Sequence, residues 1–256
     1  MASILERLEA TFAARSEQRE VSTVSIGLGY TAVEVDDGGA GLAYTMADRS
    51  RTCTHVRRFR DFEGGPASEL LEYLASDSRL ERSMAVALVN ALNHARAAAM
   101  DDDSGPSTGI IERFGVGVGT RVSMVGFFPI VTQLEAIGAE VRVLDANRGL
   151  GDERTFLAEL STWSDAVILT ATTLLNDTFS LFVDHVREDA RVAVLGPTTP
   201  MVPEAFSDVP VDLLAGMVPV DADRVLAAVR QGGGTPAISP HCRKVAWSVP
   251  SGAVDA

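Results

Sequence analysis

The segment from Arg121 to Asn147 constrains the fold more than any other part of the chain. Val122-Ser123-Met124-Val125 is a short apolar run that passes into Gly126-Phe127-Phe128-Pro129 and then into a helical stretch over residues 130–137. Gly138 ends that helix, and Ala139-Glu140-Val141-Arg142-Val143-Leu144-Asp145 reads as a second strand. A strand, helix and strand of these lengths close as a parallel pair with a crossover helix. Asp145 lies about twenty residues past Gly126, where doubly wound α/β folds hold a ribose hydroxyl.

Two further strands end in polar loops, Thr170-Ala171-Thr172-Thr173-Leu174-Leu175-Asn176-Asp177-Thr178 and Gly196-Pro197-Thr198-Thr199-Pro200-Met201. Loops that follow parallel strands emerge on one sheet edge, so the pattern predicts a ligand crevice there. Strands are expected at 122–125, 141–144, 166–169, 192–195 and 211–214, and helices at 130–137, 156–160, 179–186 and 223–231. Gly232-Gly233-Gly234 reads as a flexible joint before a C-terminal tail.

The first hundred residues follow another rhythm. A helical stripe (Ile4, Leu5, Leu8, Phe12) precedes strands at 21–28, 31–35 and 41–46, and helices follow at 66–75 and 80–100. Asp101-Asp102-Asp103-Ser104-Gly105-Pro106-Ser107-Thr108-Gly109 reads as a linker. The expected class is α/β, with an α+β domain over residues 1–105 and a parallel-sheet domain over 106–256.

A net charge of −13 argues against a nucleic-acid backbone or an anionic membrane surface as partner. It suits a cationic ligand or simple solubility. No apolar run is long enough to span a bilayer, and no secretory signal opens the sequence. Cys53 and Cys242 make no disulfide framework, so the expected compartment is the cytoplasm. A homo-oligomer is the expected assembly, with a homodimer its simplest form.

The candidate site residues offer mostly neutral polar groups. The Gly126-Phe127 turn lacks the second and third glycines of a dinucleotide fingerprint. It reads either as a cradle for a carboxylate, phosphate or small polar ligand, or as a strand–helix turn with two buried phenylalanines. Asp145 reads as a ribose acceptor or a local cap. With Gly126 it favours a nucleoside-bearing ligand such as S-adenosylmethionine over a dinucleotide. Thr170, Thr172 and Asn176 could bind a ligand or cap the next helix, and Thr198 and Thr199 sit between two prolines in a stiff loop. The close Cys/His pairs, Cys53-Thr54-His55 and His241-Cys242, match no metal-ligand spacing. His94 is expected in the last turn of the 80–100 helix.

As a set, several segments resemble a family of prokaryotic proteins labelled for heavy-metal chelation, which join an enolase-N-terminal-like domain to a Rossmann-like domain. The matching segments are Ile26-Gly27-Leu28-Gly29-Tyr30-Thr31, Gly38-Gly39-Ala40-Gly41-Leu42-Ala43, Asn90-Ala91-Leu92-Asn93, Val125-Gly126-Phe127-Phe128-Pro129, the two Thr-rich loops, and Arg243-Lys244-Val245. The resemblance implies a small polar ligand in a cleft between the two domains, with a divalent metal ion as the cofactor class. It draws in Asn90 as a ligand-binding residue and Lys244 as a catalytic one. Two readings stand beside metal handling: a metabolic enzyme with a nucleoside-bearing cosubstrate, and a non-catalytic binding protein.

Overall fold

The computed structural model describes residues 2–47, 55–56, 59–103 and 108–248. Helix α1 (Ile4–Ser16) opens the chain. Ser3 caps it: its hydroxyl accepts from Glu6 N–H while the Glu6 carboxylate accepts from Ser3 N–H. Strands β1 (Val21–Ile26), β2 (Tyr30–Val35) and β3 (Ala40–Tyr44) form an antiparallel sheet in that order. Helices α2 (Ala67–Leu71), α3 (Arg79–Leu92) and α4 (His94–Ala98) follow. The long helix expected over 80–100 breaks at Asn93, whose ψ of 0° leaves the helical range. His94 therefore starts a new helix instead of ending one, and its Nδ1 lies 3.0 Å from the Ala40 carbonyl oxygen.

Asp101 and Asp102, expected in a linker, form the short strand β4 (Asp101–Asp102). After α5 (Thr108–Phe114), strand and helix alternate as β5 (Arg121–Val125), α6 (Val131–Ala136), β6 (Glu140–Leu144), α7 (Glu153–Thr162), β7 (Ala166–Thr170), α8 (Phe179–Val183), β8 (Arg191–Leu195) and β9 (Leu213–Pro219). Helices α9 (Ala222–Arg230) and α10 (Thr235–Ile238) then lead into β10 (Cys242–Ser248). The expected tail is thus a seven-residue strand. It pairs antiparallel with β9 on one side and β4 on the other, so the large sheet is mixed.

That sheet runs β4-β10-β9-β8-β7-β5-β6. Its parallel part begins at β5, steps out to β6, then returns across β5 to β7, β8 and β9, the doubly wound order 2-1-3-4-5. The order reverses between β5 and β7, and such a switch point opens a crevice at the strands' carboxyl ends. Both faces are covered. Ile110 of α5, Leu134 of α6 and Ile130 just before it pack on one with Val122, Met124 and Ile168. Phe156, Leu160, Phe179 and Phe182 from α7 and α8 pack on the other with Val167, Leu169 and Val194.

The second core cluster continues without a break into α1 and α3. The β8–β9 connection has only a 3-10 turn, Pro203–Phe206, and no α-helix. Side chains of the N-terminal unit hold it instead. Asn93 Nδ2 donates to the Met201 carbonyl at 2.6 Å, and Arg7 donates to the Ala205 carbonyl at 3.3 Å and pairs with Asp208 at 2.8 Å. Arg96 and Glu204 form a two-pronged ion pair. Among the described residues, no helix is long and apolar enough to cross a membrane.

Candidate functional site

A cavity of about 1170 Å³ lies at the switch point. Its walls are the carboxyl-end loops of β5, β6, β7 and β8, parts of β9 and β10, and Tyr30, Tyr44 and Met46 from the N-terminal unit. Gly126, Phe127, Asp145, Thr170, Thr172, Asn176, Thr198 and Lys244 all line it. Residues as far apart in sequence as Tyr30 and Lys244 thus meet in one space.

Gly126 turns the chain out of β5 with φ at +84°, and its N–H donates to the Leu144 carbonyl at 2.8 Å. A Cβ there would stand 3.0 Å from Thr170 Cγ2, so the turn and the β7 end are closely apposed. Phe127 is 40% exposed, which counts against the alternative of a turn with two buried phenylalanines. The Arg148 guanidinium lies over its ring, 4.5 Å from the centroid.

Asp145 is engaged locally. Its Oδ2 accepts from Phe127 N–H at 3.1 Å, and its Oδ1 accepts from Asn147 and Arg148 N–H at 3.0 and 3.2 Å. A carboxylate has about four acceptor positions. Three backbone donors, with Arg148 Nε 3.7 Å away, leave little capacity for a ribose diol. The acid holds its own loop against the Gly126 turn.

The β7 loop is an array of hydroxyls. Thr170 caps the 3-10 turn Ala171–Leu174, and its Oγ1 lies 3.1 Å from Thr172 Oγ1. The Asn176 Oδ1 accepts from the Thr178 hydroxyl at 2.7 Å, which turns the backbone. The Asn176 NH2 has no hydrogen-bond partner among the described residues. Asp177 takes a positive φ of 59° and is paired with the buried Arg82 of α3, which ties this loop to the N-terminal unit.

The proline-flanked β8 loop divides. Thr198 lines the cavity, though it is only 2% exposed, and its Oγ1 accepts from Tyr44 N–H at 2.9 Å. Thr199 and Asn90 are not in the lining. Asn90 Nδ2 donates to the Leu42 carbonyl at 2.8 Å and lies 3.5 Å from the Thr198 carbonyl, so it holds the loop from behind.

Sequence reasoning missed the N-terminal wall and Asp103. Tyr30 donates to or accepts from Thr235 Oγ1 at 2.7 Å and stands edge-on to Tyr44, with ring centroids 6.3 Å apart. Burial pushes the Tyr30 hydroxyl pKa upward. Tyr30 stood inside a recognisable segment, Gly27-Leu28-Gly29-Tyr30, but nothing local in the sequence marked Tyr44 or Asp103.

The donor set of the described residues does not fit a bare metal ion. Among the described residues, no three His, Cys, Asp or Glu side chains converge. Cys53, and so the Cys53/His55 pair, lies outside the described residues. Cys242 is half-buried on β10, and burial pushes its thiol up to about 12, so it is not a thiolate at neutral pH.

Several known proteins are similar to this chain. A crystal structure of a protein of unknown function from Pyrococcus horikoshii superposes with a TM-score of 0.76 at 22% identity, covering 96% of this chain and 100% of that one. One from Desulfitobacterium hafniense DCB-2 gives 0.75 at 20% identity, covering 96% and 98%. An uncharacterized protein of Methanocaldococcus jannaschii is 24% identical over 236 residues, 87% of this chain and 88% of its own length. Two family models, both described as "Putative heavy-metal chelation", match residues 9–93 and 107–248, and the chain belongs to that family.

Proposed function

We propose that the chain is a small-ligand-binding protein whose site is the switch-point cavity, and that metal reaches it as an organic chelate and not as a bare ion. One observation carries this reading. The cavity wall at the β5, β7 and β8 ends consists of hydroxyls, an amide and aromatic faces, with no triad of metal-binding side chains among the described residues. Neutral donors and acceptors in a concave, partly apolar site orient an organic ligand. The family description supplies the link to metal. The Asp145 carboxylate, engaged by three backbone donors of its own loop and turn, gives no support to a nucleoside-bearing ligand.

The test is native mass spectrometry and elemental analysis of the protein as purified. The expected result is an organic molecule bound one to one, with any metal leaving together with it. Asn176→Ala should weaken that complex by about 1–3 kcal/mol, because its unpartnered NH2 would lose a ligand hydrogen bond. Stoichiometric metal that survives stripping of every small organic molecule would sink the reading.

A further inference from the structure

We propose that Lys244 seats an anionic group of the ligand, and that Asp103, opposite it on the neighbouring strand, sets how tightly that group is held. The inference rests on the small-ligand reading above and adds a charge class to it. Lys244 is the only lysine in the chain. It lies within β10, exposed, and lines the cavity beside Met217, its partner in the β9–β10 ladder. Its ammonium has no hydrogen-bond or ion-pair partner among the described residues.

The placement of Asp103 follows from the ladder. Val245 pairs with Asp102, and Asp103 N–H donates to the Lys244 carbonyl at 3.0 Å, so Asp103 and Lys244 stand opposite each other. Opposite residues of an antiparallel pair share a face, with Cβ atoms about 5 Å apart. Both side chains line the same cavity, yet they form no ion pair.

Charge is distributed unevenly around the cavity. Of its three carboxylates, Asp145 and Glu153 belong to the β6 side, at the far end of the sheet from β10, and Asp103 alone stands beside Lys244. Of its two cations, Arg148 is stacked on Phe127 and lies near Asp145. Lys244 is thus the cation open to a ligand. The threonines and Asn176 orient any polar molecule, whereas a charge-assisted hydrogen bond to an ammonium selects an anion. Carboxylates, the usual donors of organic chelators, and phosphates share that chemistry.

Asp103 couples the step to protons. Its carboxyl pKa is raised, chiefly by burial; Asp102 on its own strand reinforces the shift, while Arg113 of α5 and Lys244 of β10 oppose it. An anion on Lys244 adds negative charge beside Asp103 and favours its protonated form. Binding therefore takes up a proton, and affinity rises as pH falls through the Asp103 pKa.

Calorimetry with oxalate, its neutral isostere oxamide, and sulfate tests the proposal on the full chain. Oxalate should bind and oxamide should not. Lys244→Gln should lose at least about tenfold in oxalate affinity, and Lys244→Arg should stay within a few fold. Sulfate keeps its charge over the mildly acidic to neutral range. Its affinity should rise as pH falls in the wild type and become tighter and flatter with pH in Asp103→Asn. Equal binding of oxalate and oxamide, unchanged affinity in Lys244→Gln, or no anion binding by the wild type would overturn the proposal. Loss in Asn176→Ala without loss in Lys244→Gln leaves the cavity reading standing and removes the anion seat. Loss in neither variant removes both.

Discussion

At the scale of single residues, two positions carry consequences that can be measured. Gly126 combines a φ of +84° with a Cβ position 3.0 Å from Thr170 Cγ2. A methyl group there strains the backbone and forces the β7 loop outward. Gly126→Ala should cost about 1–3 kcal/mol in urea unfolding and weaken the ligand complex as well. Wild-type stability and affinity together would show that the turn tolerates a side chain. Asp165 fixes the other end of the strands. Its carboxylate accepts from Arg121 Nε at 3.0 Å, Nη2 at 2.5 Å and the backbone N–H at 3.0 Å. The Arg121 hydrogen bond holds its pKa down to about 2, against an ordinary value of 3.8. A depressed folded-state pKa gives stability that is complete above the unfolded value and lost as pH falls through the folded one. The melting-temperature gap between wild type and Asp165→Asn should be constant from neutral pH to about pH 5, then shrink toward pH 2. A gap that widens in acid would contradict the assignment. The pair is partly exposed, so added salt should narrow the gap at every pH.

At the scale of elements, what was legible in the sequence depended on local periodicity. Strands β5 to β8 were readable because a buried parallel strand is a short apolar run, and Val122–Val125 or Val192–Leu195 stand out against polar flanks. Strand β10 was not, because Cys242-Arg243-Lys244 opens it with polar residues after a proline and three glycines. Its pairing with β9 is decided by a partner 23 residues away at its nearest rung, Cys242 with Pro219, which no local pattern encodes. The strand-end loops were legible as candidate site residues for the same reason as their strands. Tyr44 and Asp103 were not, since they reach the cavity only through docking of distant elements. Asn90 and Asn93 carry a different lesson. Both were read within one segment, and both work as struts between α3 and the β8–β9 connection. Asn93 is 3% exposed and is the donor to the Met201 carbonyl. Asn93→Ala should cost about 1–3 kcal/mol in chemical denaturation, because a buried carbonyl loses its partner. Ligand binding should change less than in Asn176→Ala. The reverse ranking would make Asn93 a site residue and α3 a mere neighbour.

At the scale of the whole molecule, the three-stranded sheet shows how far the two halves depend on each other. Successive residues of β2 face opposite sides. Val33 and Val35 join the core with α1 and α3, while Tyr30 and Ala32, with Leu42 of β3, pack against Val225, Leu226 and Val229 of α9 and against Ile238 of α10. The sheet is therefore covered on one face by helices from its own half and on the other by a helix more than 100 residues downstream (Ala222 minus Val35 is 187). Gly27 shows how close that contact is: a Cβ there would stand 2.2 Å from the Val229 carbonyl oxygen. A fragment of residues 1–103 would expose the α9-facing side, and an uncovered apolar sheet face drives aggregation. We expect that fragment to lack a cooperative unfolding transition, although its boundaries follow the change of rhythm in the sequence. Co-expression with residues 104–256 should restore a folded complex. Gly27→Val in the full chain should lower the melting temperature, since the backbone of α9 must move away from β1. Ligand affinity should fall with it, because Tyr30 meets Thr235 at the cavity wall just beyond α9. A monomeric fragment 1–103 with a sharp thermal transition and dispersed amide signals would show instead that the first hundred residues form a self-sufficient domain, with α9 an optional cover.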